Sequence, residues 1–283
     1  MLRLSPSLFV LFAICPTNLG FHVEHPGSFA NRDTIVGHKR GNIKTEEVSY
    51  HSGDKVCKGY IAYDANLSGK LPIVIIVHEW WGLNDYARSR ARMIAGLGYF
   101  AFAADLFGNG VIANNPEEAR ANTKPYYSQP ENTLQPIRDA IAAASRFGQA
   151  DSSKIAAMGY CFGGFVVVNS AKLGAPLKGV VSFHGRLVGV QPRKNIINAK
   201  FLICQGGDDE FAPIADQIAF KKSMDSVNAG YRFITYPGAK HAYTNPQSTE
   251  LGKKFNMPMA YNAAADSASW NDMQVFFRKI FRE

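Results

Sequence analysis

The stretch Ile155-Ala156-Ala157-Met158-Gly159-Tyr160-Cys161-Phe162-Gly163-Gly164, running on into Phe165-Val166-Val167-Val168, decides how the rest of the chain is read. Ile155 to Met158 fits a short buried strand, and helical spacing takes over from Phe165 to Leu173. Between them, glycines stand two residues before and two residues after Cys161. A sharp strand-to-helix turn crowds atoms at those two positions, so a residue without Cβ fits where others clash. Such a turn lifts the Cys161 sulfur above the sheet edge and sets it at a helix N-terminus. Backbone N–H groups and the helix dipole there favour a thiolate and a developing oxyanion. The pattern is Gly-x-nucleophile-x-Gly with cysteine as the nucleophile. A buried structural cysteine beside a Gly-rich packing turn is the plain alternative.

Outward from this turn the chain alternates. Upstream, Ile73-Val74-Ile75-Ile76-Val77 is continuously apolar and β-branched, as a strand covered on both faces must be. A helical pattern from Asp85 to Leu97 ends at Gly98, a C′ glycine, and Phe100 to Ala104 forms a second buried strand ending at Asp105. Before these, Glu46–Tyr50 and Lys58–Tyr63 alternate like exposed or half-buried strands joined through Ser52-Gly53-Asp54. Downstream, Leu134–Phe147 has helical spacing, and Leu177–Phe183 and Phe201–Gln205 are buried strands. A helix near Ile214–Val227, a strand Tyr231–Tyr236 and an amphipathic helix Ala264–Phe281 complete the series. The alternation predicts an α/β fold, a mostly parallel central sheet with helices on both faces, in one domain over residues 43–283.

Composition agrees. The chain has 283 residues, 46% of them hydrophobic, enough for a substantial core and too apolar for general disorder. Four cysteines exclude a disulfide scaffold. No apolar run nears the roughly 18 residues of a membrane span. The net charge of +8 favours anionic partners in general. Its Lys and Arg residues are scattered without interleaved aromatics, which argues against nucleic acid. Residues 1–20 differ: Met1-Leu2-Arg3 precedes the apolar Leu8–Ile14, as in a secretory signal peptide, although no clean cleavage site follows. Export to a periplasmic or extracellular space is the expectation, with a cytoplasmic protein carrying an N-terminal extension as the alternative. Residues 21–42 read as an exposed lead-in. Removal of the leader leaves Cys57, Cys161 and Cys204, so at least one thiol stays outside any intramolecular pair.

A thiol nucleophile needs a base and a carboxylate to orient it, and in α/β hydrolases the chain order is nucleophile, acid, histidine. The strand Phe201–Gln205 runs into Gly206-Gly207-Asp208-Asp209-Glu210-Phe211-Ala212-Pro213, where the acid belongs. Asp209 is preferred, with Asp208 and Glu210 as capping or solvated alternatives. Tyr231–Tyr236 leads into Pro237-Gly238-Ala239-Lys240-His241-Ala242-Tyr243-Thr244-Asn245, which sets His241 on the next loop as the base. His184, at the end of Leu177–Phe183, is the rival, and because it precedes both acids it is assigned to the pocket wall. His78-Glu79-Trp80-Trp81-Gly82 lacks the second histidine of a His-Glu-x-x-His zinc site, and neither metal nor organic cofactor is expected.

Together these segments, with Ala104-Asp105-Leu106-Phe107-Gly108, resemble the dienelactone hydrolase family of the α/β-hydrolase superfamily, over about residues 43–283. The resemblance implies Cys161 as nucleophile, Asp209 as orienting acid, His241 as base, and Glu79 as the group that receives the thiol proton when substrate binds. It implies an oxyanion hole from the backbone N–H groups of Phe162 and Trp80, and a pocket wall that includes Trp81. Two positions depart from the family's pattern: Asn109 and Asn245 stand where arginines hold the substrate carboxylate. Asn109 is kept as a pocket residue, and Arg88, Arg186 and Arg193 are candidate substitute cations.

The expected activity is hydrolysis of a small-molecule ester or lactone through a covalent thioester, with no nucleic acid partner and no oligomeric state assigned. The alternatives are an exported binding protein that keeps the fold without turnover, and an acyltransferase or thioesterase using the same triad.

Overall fold

The computed structural model describes residues 41–282. The expected leader, residues 1–20, and the lead-in up to residue 40 lie outside the described residues. The sheet begins with a hairpin, β1 (Ile43–Ser52) and β2 (Lys55–Asp64), closed by a tight turn in which Gly53 has φ +56°. Six further strands follow: β3 (Leu71–Val77), β4 (Phe100–Ala104), β5 (Ala150–Tyr160), β6 (Gly179–Phe183), β7 (Lys200–Gly206) and β8 (Tyr231–Tyr236). Their spatial order is β1-β2-β4-β3-β5-β6-β7-β8. The hairpin pairs antiparallel to β4, and every pairing from β4 to β8 is parallel.

Buried residues on successive positions of β3 split between the two faces of the sheet. Ile73, Ile75 and Val77 join Phe100, Phe102, Phe165 and Phe220 in one core. That core is closed by α3 (Leu134–Ala144), α4 (Phe162–Lys172) and α5 (Ile214–Ser226). Val74 and Ile76 join Ile94, Met273 and Phe277 in the other, beneath α1 (Asp85–Gly96) and α7 (Ala263–Arg282). Each fully buried Ile, Val or Phe contributes roughly 2 kcal/mol by leaving water, which is why an apolar run with no polar face makes a central strand here. Asn84 caps α1 through the Ala87 amide, and Gly98 at φ +90° follows its end.

Two helices are not visible in the periodicity. α2 (Pro116–Ser128) is polar and carries Pro125 in its interior, and α6 (Ser248–Phe255) is only eight residues long. Both stand over the carboxyl edge of the sheet. β3 has β4 on one side and β5 on the other, so the chain direction of connections reverses there, and the crevice outside those strand ends is where an open parallel sheet takes a ligand.

Candidate active site

Cys161 occupies the turn between β5 and α4 with φ 52° and ψ −111°, a backbone conformation that a side chain rarely tolerates and that stores of order 1–3 kcal/mol. Its amide hydrogen is shared between the Phe183 carbonyl at 2.9 Å and His184 Nδ1 at 3.1 Å. The flanking glycines are there because backbones touch. A Cβ on Gly159 would run into the Gly163 carbonyl, and one on Gly163 into the carbonyls of Val77 and His78. α4 therefore lies against the end of β3, with its N-terminus directed at the sulfur.

His241, on the loop after β8, reaches Cys161 Sγ with Nε2 at 3.1 Å. Its Nδ1 faces Asp209 at 3.0 Å from Oδ2 and 3.2 Å from Oδ1. Asp209, on the loop after β7, also accepts from Gln205 Nε2 at 2.7 Å and from the Phe211 amide at 2.9 Å. Asp208 and Glu210 are exposed, whereas Asp209 is buried, which is the physical ground for choosing among the three. Burial alone would push the His241 ring toward neutrality. The Cys161 sulfur and the Asp209 carboxylate outweigh it and hold the imidazole well above its ordinary pKa. The Phe211 ring covers His241 from one side, with centroids 4.7 Å apart.

Glu79 follows β3 and is buried at the same edge. Its Oε2 accepts from Asn245 Nδ2 at 2.7 Å, and Oε1 has no hydrogen-bond partner among the described residues. Burial raises its pKa to about 7, against the Asn245 hydrogen bond and the His241 charge, which pull downward. Trp80 and Trp81 stand next, edge to face at 5.0 Å.

These groups line a cavity of about 540 Å³. Glu79, Trp80, Trp81, Cys161 and His241 line it at the carboxyl edge of the sheet. The lining also includes Thr123 and Tyr127 of α2, Leu251 of α6, Met257, and Met259, whose backbone pairs with His241. Arg120, Lys124 and Arg186 lie at the exposed mouth, and Arg186 stacks on the Tyr127 ring at 5.8 Å.

Several expectations need correcting. Asn109 is not a pocket residue: it is exposed in the turn Gly108–Gly110, at φ 54°, with its amide donating to the Val56 carbonyl. That turn is held by Asp105, whose carboxylate accepts from the amides of Lys58, Phe107, Gly108 and Gly110, so Asp105 organises a loop. His184 does not line the wall; it is fully buried beneath the Cys161 turn. Of the three candidate cations, Arg186 reaches the cavity, Arg88 is engaged with Glu47 at 2.6 Å, and Arg193 is elsewhere. Gln205 escapes the sequence reading, although a polar side chain ending an apolar strand is a readable signal. So does α2, whose start Asn115-Pro116-Glu117-Glu118 carries the cap, N1 proline and acidic first turn of a helix. Among the described residues Cys57 and Cys204 are buried and unpaired, and burial pushes their thiols up to about 11 and about 12, away from reactivity.

Known proteins share this plan. The dienelactone hydrolase family matches residues 57–281. A protein provisionally named carboxymethylenebutenolidase from Methylorubrum extorquens is 26% identical over 261 residues, covering 88% of this chain and 86% of that one. Among solved structures, a dienelactone hydrolase-like promiscuous phosphotriesterase from metagenomic libraries superposes with a TM-score of 0.79 at 29% identity, covering 84% of this chain and 99% of the other. The structure named m3DLH gives 0.81 at 30% identity, covering 85% and 100%.

Proposed function

The chain belongs to the dienelactone hydrolase family, and from that premise we propose that it cleaves a small ester or lactone through a thioester formed on Cys161. One observation carries the proposal: Cys161 Sγ, both ring nitrogens of His241 and the Asp209 carboxylate form one hydrogen-bonded line at 3.0–3.2 Å.

His241 Nε2 takes the thiol proton as the sulfur attacks the carbonyl carbon. A C–S bond forms, and the carbonyl π pair moves onto oxygen. Amides of Phe162 and Trp80 are assigned to that oxyanion. Phe162 opens α4, where the first amides have no intrahelical acceptor. Each such donor is worth roughly 3–4 kcal/mol in the transition state. Collapse of the oxyanion expels the alkoxide, which takes the proton from His241. Water then adds to the thioester carbonyl with His241 as base, the C–S bond breaks as the second tetrahedral intermediate collapses, the sulfur recovers the proton from His241, and the free acid leaves. Asp209 keeps the imidazole in one orientation and balances its charge at both proton transfers. Glu79 lines the same cavity with one oxygen unpartnered among the described residues, and in the route that the resemblance implies it receives the thiol proton in place of His241, an already protonated His241 then supplying the leaving alkoxide.

The test is Cys161→Ala against p-nitrophenyl acetate, with small lactones and a phosphotriester in the same panel because a similar protein is a phosphotriesterase. Turnover of the ester is expected to vanish with the fold intact, and mass spectrometry of the quenched native enzyme is expected to find the acyl group on Cys161. Undiminished ester turnover in that variant would discard the mechanism.

A further inference from the structure

We propose that His184 is a positioning residue: through paired hydrogen bonds to the Cys161 amide and the Thr244 hydroxyl, it holds the nucleophile's turn and the base's loop at a fixed separation. The inference rests on the reading of Cys161 as nucleophile and adds to it a residue that touches neither substrate nor the reacting sulfur.

The proton inventory of the bridge has one solution on the histidine. A backbone N–H can only donate, so His184 Nδ1, 3.1 Å from the Cys161 nitrogen, carries a lone pair. The ring proton is therefore on Nε2, which donates to Thr244 Oγ1 at 2.7 Å. Thr244 Oγ1 also pairs with the Tyr86 hydroxyl at 2.7 Å. The ring is neutral and confined to one tautomer. Its surroundings keep it so: burial first, then the charges of His241 and of Arg90, all disfavour a proton on it. Nearby, Tyr86, Tyr160 and Tyr243 are phenols whose burial holds them protonated, as burial does the thiol of Cys204, whose carbonyl accepts from the His184 amide; Cys161 adjoins through its own amide. A neutral His184 at 5.3 Å leaves His241 free to become the only imidazolium at the site.

Thr244 is itself anchored. Its carbonyl accepts from Arg90, whose guanidinium is paired with Asp266 at 2.7 Å. Thr244 stands three residues after His241, and the turn between them is closed by the Asn245 amide donating to Ala242. Cys161 and His241 thus belong to separate loops, after β5 and after β8, and His184, after β6, ties the two from below. It does so from φ 42°, a left-handed conformation uncommon for a residue with a side chain, and Asn is among the few others that adopt it.

The test uses His184→Asn, Thr244→Val, Thr244→Ser and the double variant His184→Asn/Thr244→Val in the full chain. The His184→Asn side chain keeps an acceptor near the Cys161 amide and loses the arm to Thr244. Thr244→Val removes the same arm from the other end. Three quantities are read: kcat and KM for p-nitrophenyl acetate, the pH profile of Cys161 alkylation by iodoacetamide, and the thermal midpoint. Each single variant is expected to lower kcat roughly 10-fold, less than the roughly 100-fold that a misplacement of about 1 Å costs. KM is expected to stay within about twofold, and the alkylation profile to move to higher pH, since a loosened His241 supports the thiolate less. Thr244→Ser is expected to restore both, and the double variant to match the worse single. Unchanged kcat and alkylation profile in folded variants, or losses that multiply in the double variant, would overturn the proposal. Should His184→Asn fail to fold, Thr244→Val and Thr244→Ser decide it alone. Alkylation needs no substrate, so a shifted profile in a protein whose Cys161→Ala variant still turns over would sink the hydrolytic mechanism and leave the bridge standing.

Discussion

Glu79 and Asn245 meet through a single hydrogen bond, Nδ2 donating to Oε2 at 2.7 Å, and the second carboxylate oxygen is buried with no partner among the described residues. An amide donates without bringing charge, so it offsets only part of what burial takes from an ionised carboxylate. That imbalance, more than any contact with the sulfur, sets how Glu79 behaves near neutral pH.

A stability measurement follows from it. Unfolded, the Glu79 carboxyl ionises near 4.5; folded, it does so at about 7. Between those values the native state holds the extra proton, so stability falls as pH rises from about 4.5 to about 7 and is level above. The loss is about 3–4 kcal/mol at about 1.4 kcal/mol per pH unit. Glu79→Gln does not titrate, so denaturant unfolding of the variant at pH 5 and pH 8 should lack that fall. Native and variant stabilities that run parallel across the interval would contradict the assignment of the proton.

Asp209 should be separable from Gln205 by magnitude. On the proposed mechanism Asp209→Asn removes the charge that orients and balances His241, and kcat for an ester is expected to fall by roughly 10,000-fold. Gln205→Leu removes only one neutral donor to Asp209, worth about 1 kcal/mol, and should cost roughly 5-fold. Steady-state kinetics of the two variants checks the ratio. Equal losses would mean that the glutamine does more than hold the acid.

Gly163→Ala tests the backbone approach at the turn. The new methyl would overlap the Val77 and His78 carbonyls, neither of which can move without opening the sheet end. A loss of roughly 3 kcal/mol is expected, which lowers Tm by about 6–12 °C. Gly148→Ala is the control, because nothing lies within 4 Å of a Cβ there. Calorimetry on the pair should separate them clearly.

The mouth cations make a prediction about selectivity. Arg186→Ala and Lys124→Ala should raise KM roughly 5-fold for an ester that carries a carboxylate and leave KM for its uncharged counterpart unchanged. The difference should shrink as salt rises, since both cations are exposed. A uniform change in both substrates would assign these side chains to packing.

The parts of the site legible in sequence are those fixed by backbone geometry. Gly159, Cys161 and Gly163 announce a turn because only glycines fit there, and the buried strands announce themselves because β3 has apolar neighbours on both faces. Strand order marks the loops that carry Asp209 and His241, but it leaves Asp208 and Glu210 beside Asp209, and only burial separates the three. The walls are not legible. α2 shows too little amphipathic pattern because its inner side faces a cavity as well as a core, and Pro125 interrupts it. Asn109 is expected in the pocket because it stands where the resembled family has an arginine, but here it sits exposed in a turn at positive φ. His184 misleads differently: its place at a strand end is shared with the loops that carry Cys161, Asp209 and His241, but its ring lies under the Cys161 turn from a left-handed backbone.

The division between α2 and the strand-end loops has an evolutionary consequence. Arg120, Thr123, Lys124 and Tyr127 belong to one helix that supplies no member of the Cys161–His241–Asp209 line. Mutational drift can therefore rewrite which molecules are admitted, one helical turn at a time, without disturbing the reaction carried out on them. Diversification in proteins built on this plan should concentrate in residues 116–128, and laboratory libraries aimed at new substrates belong there.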